Sequence, residues 1–254
     1  CAYCELLDPI LGSRPNNFKL YLGGKKFEKG IDGYRVDDFW MWYRRLRERY
    51  RKFLEDFDPI VPNEFKKSEY LMLGNLMPSV QKRVLDQMDK KPKLIVLDTM
   101  NFWMDHFMDD LKDALKNVDV LTINDEEARQ LSEEYSLLQA SKKILDMGPK
   151  YLIIKKGEHG AFLFSEDKVF FTPALPLESV LDPTGAGDSF AGGFIGYLAK
   201  TKDVSFENMK KAVLYATVMA SFTVEKFGTE NLKKITKEEI DCRLKHLKDM
   251  SQIS

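Results

Sequence analysis

Tyr70-Leu-Met-Leu73, Lys93-Leu-Ile-Val-Leu97, Val118-Asp-Val-Leu-Thr-Ile123 and Tyr151-Leu-Ile-Ile154 are four short apolar runs separated by segments of helical periodicity. Runs this short, rich in Val, Ile and Leu, read as strands buried on both faces. The segments between them read as helices: one after Pro78, one beginning near Met104, one over residues 125–132, and one over 137–147 that stops at Gly148-Pro149. Strands that alternate with helices are joined by crossovers, and crossovers of one hand give parallel pairing with helices on both faces. The expected fold class is therefore α/β, a three-layer α/β/α sandwich around a mainly parallel sheet.

Downstream, residues 161–164 and 168–171 are two further short strands, and Ser165-Glu-Asp167 between them reads as a hairpin turn. The last third is helical, with helices expected over 185–199, 207–224 and 237–249. In the second of these Ala212, Ala216 and Ala220 recur every four residues, a small-residue stripe that lets another helix approach closely. The first sixty residues are less regular. Trp40, Tyr43, Leu46, Tyr50 and Phe53 fit one helical face with the arginines of residues 44–52 on the other, but alternation through Phe39, Met41 and Tyr43 fits a strand equally well. Aromatic residues beside a basic run also suit a nucleic-acid surface, which predicts steeply salt-dependent affinity.

Composition narrows the function classes. With 254 residues, 44% of them hydrophobic, the chain can fill a sizeable core. Its 39 Lys and Arg balance 40 Asp and Glu to a formal charge of -1, so nothing draws the whole chain to nucleic acid or to an anionic membrane. The longest weakly polar run, residues 190–199, is half the roughly 20 residues that a membrane helix needs. Cys1 and Cys4 form a lone C-x-x-C with no second pair to complete a zinc site, and Cys242 is far away. The chain starts at Cys1 rather than Met, so no targeting is read from its first residues, and three cysteines that make no disulfide framework lead to the expectation of a reducing, cytoplasmic setting.

In open parallel sheets ligands bind beyond the carboxyl ends of the strands, where helix N-termini offer free N–H groups and a partial positive charge. Those ends carry Asp98 and Asn101, then Asn124 and Glu127, then Lys155-Lys-Gly157, and last Asp182-Pro-Thr-Gly-Ala-Gly-Asp-Ser-Phe190. In the nonapeptide, backbone N–H groups of Gly185, Ala186 and Gly187 can converge on phosphoryl oxygens as an anion hole. Asp188, on the first turn of the helix that follows, can accept the proton of an attacking hydroxyl. Other glycine-loop chemistries fit poorly. The chain has no G-x-x-x-x-G-K-[ST]; Phe190 stands where a dinucleotide loop needs Gly or Ala; Ala191 replaces the last glycine of G-x-S-x-G. A serine hydrolase would also need a histidine, and none of His106, His159 and His246 lies in a matching motif.

The nonapeptide with Ala191-Gly-Gly-Phe194 resembles the C-terminal motif of the ribokinase-like, or phosphofructokinase B, family of carbohydrate and nucleoside kinases, and the resemblance extends from about Asp58 to the end. It implies ATP-dependent phosphorylation of a sugar or nucleoside hydroxyl, with Asp188 as base and the loop of Gly185, Ala186 and Gly187 as anion hole. Asn124-Asp-Glu-Glu127 resembles the family's Asn-x-x-Glu, so Asn124 and Glu127 are expected to organise Mg²⁺ through its waters, with Asn124 near the nucleotide phosphates. Without the resemblance, the same four residues read as a helix-start Asn with an exposed Glu. Lys155-Lys-Gly157-Glu-His-Gly160 resembles the turn beside ATP, which makes Lys155, Gly157 and Gly160 nucleotide-binding candidates, whereas an ordinary turn is the plain alternative. Phe227-Gly-Thr229 is expected to close the adenine pocket through Gly228. Asp182 and Thr184 match a monovalent-cation site, with K⁺ as its ion.

The division expected is an atypical N-terminal, lid-like region over residues 1–57 and a nucleotide-binding and catalytic core over 58–254. Asn101 and the Gly23 and Gly24 of Leu22-Gly-Gly-Lys25 are the acceptor-binding candidates, although Lys29-Gly-Ile-Asp32 follows where the family places a further helix and strand. The partners expected are a small sugar or nucleoside and a second copy of the chain as a homodimer, with neither nucleic acid nor membrane. Because the acceptor-side region is short, a catalytically silent nucleotide-binding or assembly protein of the same fold is the alternative to a kinase.

Overall fold

A computed structural model describes residues 57–250 together with the backbone of two N-terminal strands, β1 (Asn17–Tyr21) and β2 (Ile31–Arg35). The chain divides into two compact units, Cys1–Phe57 and Asp58–Ser254. In the first, β1 and β2 pair antiparallel, with Asn17 opposite Arg35 and Tyr21 opposite Ile31. Gly23, Gly24, Cys1, Cys4, the aromatic run at residues 39–43 and the basic run at 44–52 lie outside the described residues.

The second unit is built on a six-stranded sheet in chain order: β3 (Tyr70–Leu73), β4 (Leu94–Asp98), β5 (Val120–Asn124), β6 (Tyr151–Lys155), β7 (Ala161–Phe164) and β8 (Val169–Thr172). The pairings β3–β4, β4–β5 and β5–β6 are parallel, and β6–β7 and β7–β8 are antiparallel. The parallel strands are linked by α1 (Pro78–Asp86), by α2 (Asn101–His106) and α3 (Met108–Leu115), and by α4 (Asp125–Ser132) and α5 (Leu137–Leu145). After β8 come α6 (Ala186–Thr201), α7 (Phe206–Thr223) and α8 (Lys237–Met250).

The apolar runs form strands because their side chains have a core on either side. Leu97, Leu121, Ile123, Leu152 and Ile154 face α1, α3, α4 and α5, while Leu94, Val96, Val120 and Ile153 face α6 and α7. Many of these side chains are fully buried, and each contributes roughly 1.5–3 kcal/mol relative to exposure. The helices do lie on both faces, but the distribution differs from the one expected of crossovers alone. A strand order that runs in one direction puts every right-handed crossover on the same side. The opposite face is covered instead by the two helices that follow the hairpin.

Those two helices pack as closely as their small residues allow. Ala212 and Ala216 of α7 are fully buried in the cluster that α6 and α7 share with the sheet. A Cβ on Gly193 of α6 would come within 3.1 Å of the Ala216 Cα. A third cluster, with Leu175, Val218, Phe222 and Leu247, docks α8 on α7, and Arg243 of α8 lies 3.8 Å from the Phe222 ring centroid. One expected helix is differently placed. The segment after β4 starts at Asn101 rather than near Met104 and breaks at Phe107, whose φ of -140° and ψ of 39° leave the helical region. No Gly or Pro marks that break in the sequence.

Candidate active site

Strand periodicity decides which polar residues meet at the carboxyl edge. Val96, Val120 and Ile153 face α6, so Asp98, Thr122 and Lys155, two residues further along their strands, face the same layer. The register sets Asp98 beside Thr122 and Asn124 beside Lys155. Accordingly the Thr122 hydroxyl donates to Asp98 Oδ1 at 3.0 Å and the Lys155 ammonium donates to the same oxygen at 3.2 Å. Asp98 is 7% exposed, and the Lys155 side chain is also largely covered. A buried ion pair is held only where geometry and hydrogen bonds are good, because each charge loses much of its hydration. Gln81 of α1 ties the same edge by donating to the backbone carbonyls of Gly74 at 2.7 Å and Asp98 at 3.0 Å.

Among the helices that begin at this edge, α4 and α6 carry the motif residues, one on each layer. On α4, Asn124 is the N-cap: its side chain accepts from the Glu127 N–H at 2.8 Å, and the Glu127 carboxylate accepts from the Asn124 N–H at 2.7 Å. This capping box satisfies amides that the first turn leaves without helical partners. Glu127 is not the exposed residue that a simple helix start implies; it is 7% exposed. Burial pushes its carboxyl above the usual range, against the opposing pull of the Asn124 N–H and Lys155, with Asp98 adding to the rise.

α6 begins without a side-chain cap. Gly185 stands at the N-cap with φ +81°, a left-handed conformation that glycine adopts without strain. The Ala186 N–H donates to the Pro183 carbonyl at 3.1 Å and the Ser189 N–H to the Gly185 carbonyl at 2.9 Å. Among the described residues no acceptor takes the N–H of Gly185, Gly187 or Asp188, so the unused amides of the loop are these three rather than a set that includes Ala186. Asp188 is exposed on the first turn. The loop is braced from behind: Thr223 of α7 donates to the Ser189 hydroxyl at 2.7 Å, and the Val224 carbonyl accepts from Leu181 N–H at 2.8 Å and Asp182 N–H at 3.2 Å. Gly187 faces the buried pair, since a Cβ there would stand 3.3 Å from Lys155 Nζ.

The remaining sequence candidates are spread more widely. Asp182 accepts from the Thr184 N–H at 2.9 Å, and that hydrogen bond holds its carboxyl below the usual range. Asn101 donates to Gln130 of α4 at 2.5 Å, a link separate from the Asp98–Lys155 pair. Gly157 has a φ of +55° with open space beside it, and exposed Gly228 has a φ of +56° and likewise nothing near. Gly160 differs: at φ +98°, a Cβ would lie 2.0 Å from the Thr172 carbonyl, so the packing of the β7–β8 hairpin suffices to require glycine there. Two cavities, about 550 and 390 Å³, lie at the amino ends of the strands, lined by residues such as Pro149, Lys150 and Lys168 in one and Lys90, Pro92 and Asp113 in the other. The unused amides and the buried charges are at the other end of the strands.

Residues 49–236 match the pfkB family of carbohydrate kinases. Over 143 residues the chain is 28% identical to a cytidine kinase of Thermococcus kodakarensis, covering 54% of this chain and 50% of that protein. Over 125 residues it is 34% identical to a bifunctional ribokinase/ribose-5-phosphate isomerase A of Fructilactobacillus sanfranciscensis, covering 47% and 22%. Among solved structures, the nucleoside kinase of Methanocaldococcus jannaschii superposes with a TM-score of 0.61 at 23% identity over 77% of this chain and 60% of that one. The ribokinase of Arabidopsis thaliana, complexed with ribose and ATP, superposes at 0.60 and 23% identity over 74% and 61%. The chain thus spans half or less of these two curated relatives and about three fifths of these structures. A match to the family over most of the chain, on an α/β sandwich shared with these kinases, establishes that the chain belongs to the pfkB family of carbohydrate kinases.

Proposed function

We propose that the chain phosphorylates a hydroxyl group of a small sugar or nucleoside with ATP, using Asp188 as general base. The observation that carries this reading is the start of α6, where unused N–H groups of Gly187 and Asp188 and the carboxylate of Asp188 share one glycine-formed turn. A helix N-terminus with free amides favours a phosphate, and a carboxylate beside it can take the proton of an attacking alcohol. That the relatives are named as cytidine kinase and ribokinase supports the acceptor class.

The donor set fits a nucleotide polyphosphate with a hydrated divalent cation. Lys155 supplies a cation at the Gly187 turn, and the absence of a Cβ on Gly187 keeps the space between them open. One Glu127 oxygen serves the capping box, while the other, without a protein partner among the described residues, holds a water of Mg²⁺ in this reading. In this reading Asn124 and Glu127 act on the cation through water and the phosphates. Gly157, Gly160 and Gly228 border the nucleotide in this reading, and Asp182 and Thr184 are the place for a monovalent cation such as K⁺. When bound, ATP supplies the phosphoryl group and Mg²⁺ offsets its charge.

The chain's own residues would then act in sequence. Asp188 accepts the hydroxyl proton as the oxygen attacks, while the Gly187 and Asp188 amides and the α6 dipole stabilise charge on the transferring group. In an ATP-dependent assay across pentoses, hexoses, inositols and nucleosides, at least one is expected to be turned over. Calorimetric ATP binding with no acceptor turned over would instead favour a catalytically silent nucleotide-binding protein.

A further inference from the structure

We propose that Asp98 is a positioning residue for phosphoryl transfer, holding the Lys155 ammonium against the Gly187 turn so that the cation faces the terminal phosphoryl group of the bound nucleotide. The proposal rests on the reading that this turn receives that group. Three observations carry it. Asp98 is nearly buried, and one of its oxygens accepts from both Thr122 and Lys155. A buried carboxylate with an ammonium and a hydroxyl on a single oxygen is anchored against rotation, because moving it would leave an unpaired charge in a poorly hydrated place. Lys155 makes only this one hydrogen bond among the described residues, which leaves two of its three N–H donors without a protein acceptor.

The third observation is where Nζ stands, 3.3 Å from the position a Cβ would take on Gly187. The ammonium and the unused amides of the Gly187 turn thus border the same small volume. A lysine stem is flexible and loses rotamer freedom when fixed, so an uncoupled Lys155 would sample positions away from that volume. Asp98 selects one of them. Because the pair joins the ends of β4 and β6 through the β5 residue Thr122, the cation's place is set by strand register and not by a loop.

The test is binding of ATP and of ADP by calorimetry with the full 254-residue chain and its D98N, K155M and D98N/K155M variants. The D98N substitution keeps an acceptor for Thr122 while losing the charge, and the double variant removes both charges, so no buried ion is stranded if K155M alone folds poorly. If Asp98 acts through Lys155, D98N and K155M each weaken ATP binding about tenfold or more, the size of one lost charge-assisted hydrogen bond, and leave ADP binding within about twofold. The double variant is then no worse than K155M. ATP affinity in D98N equal to the parent's overturns the proposal, as do equal losses for ATP and ADP, which a merely structural role would give. Losses that multiply in the double variant overturn it too. A parent chain that binds neither nucleotide overturns the phosphoryl-site reading itself, an outcome distinct from any of these.

Discussion

Of the helices that begin at the carboxyl edge of the sheet, α4 and α6 solve the same problem in opposite ways. α4 closes its first turn with its own side chains, the Asn124 amide and the Glu127 carboxylate bonding each other's backbone. α6 leaves its first turn open, with glycine at the N-cap, no side-chain cap and unused amides at Gly187 and Asp188. A capped start contributes stability, whereas an open start keeps its N–H groups and its dipole for a ligand. The two starts differ by few residues, yet only one of them carries a side-chain cap.

The sharpest way to break the contrast is to remove the carboxylate from the open start. D188N should lower turnover of whichever acceptor is phosphorylated by roughly 10²–10⁴-fold, the usual contribution of a general base. Asp188 is exposed, so its thermal melting should stay within about 0.5 kcal/mol of the parent. Near-normal turnover would remove the base assignment.

Replacing Gly185 with Ala tests whether the open start depends on a left-handed residue. The nearest atom to a Cβ there is Thr223 Cγ2 at 3.8 Å, so no clash arises and the cost is that of the backbone alone, about 1–2 kcal/mol. Thermal unfolding would measure it, and an unchanged midpoint would show that the loop relaxes out of this conformation.

On the closed start, N124A should cost about 1 kcal/mol through loss of the cap, a fall in Tm of roughly 2–4 °C for a unit of this size. An Asn124 held only for a ligand would give no such fall.

The smallest expected effect is a pH dependence. Burial raises the Glu127 carboxyl, so the folded chain keeps that proton at pH values where the unfolded chain has released it. The associated stability is full below the ordinary value of 4.5 and is lost as pH rises through the folded value. E127Q keeps a capping-box acceptor without the titration, so the parent's Tm should fall relative to that of E127Q as pH rises across this window. Parallel Tm curves for the two would show that Glu127 titrates as it does in the unfolded chain.

Much of this architecture was legible in the sequence because burial on both faces writes itself as apolar runs. Residues 70–73 and 161–164 are strands with the bounds their composition predicts, and the four-residue alanine spacing of α7 does mark a close helix contact. The strand ends were less visible. Asp98, Asn124 and Lys155 each extend a strand by one polar residue beyond its apolar run, and hydrogen bonding to the neighbouring strand, not hydropathy, puts them there. The Asp98–Lys155 pair joins residues 57 apart and depends on strand order and register, for which no local pattern exists. Asp98 was visible as a polar strand end but had no role until its partner was placed. The one-sidedness of the crossover helices was hidden for the same reason, since alternating elements do not say in which direction successive strands are added.

The bracing of the Asp188 turn by Thr223 and Val224 bears on the order in which the chain is made. The sheet, its crossovers and the closed α4 start are all encoded before residue 173, so a nascent chain can collapse around them early. The turn has nothing to lean on until α7 has been synthesised and laid across α6, more than thirty residues after Asp188 itself. The shape of this turn is therefore completed late in the life of each molecule, and a chain released before Thr223 would carry the whole Asp188 motif without the support that shapes it.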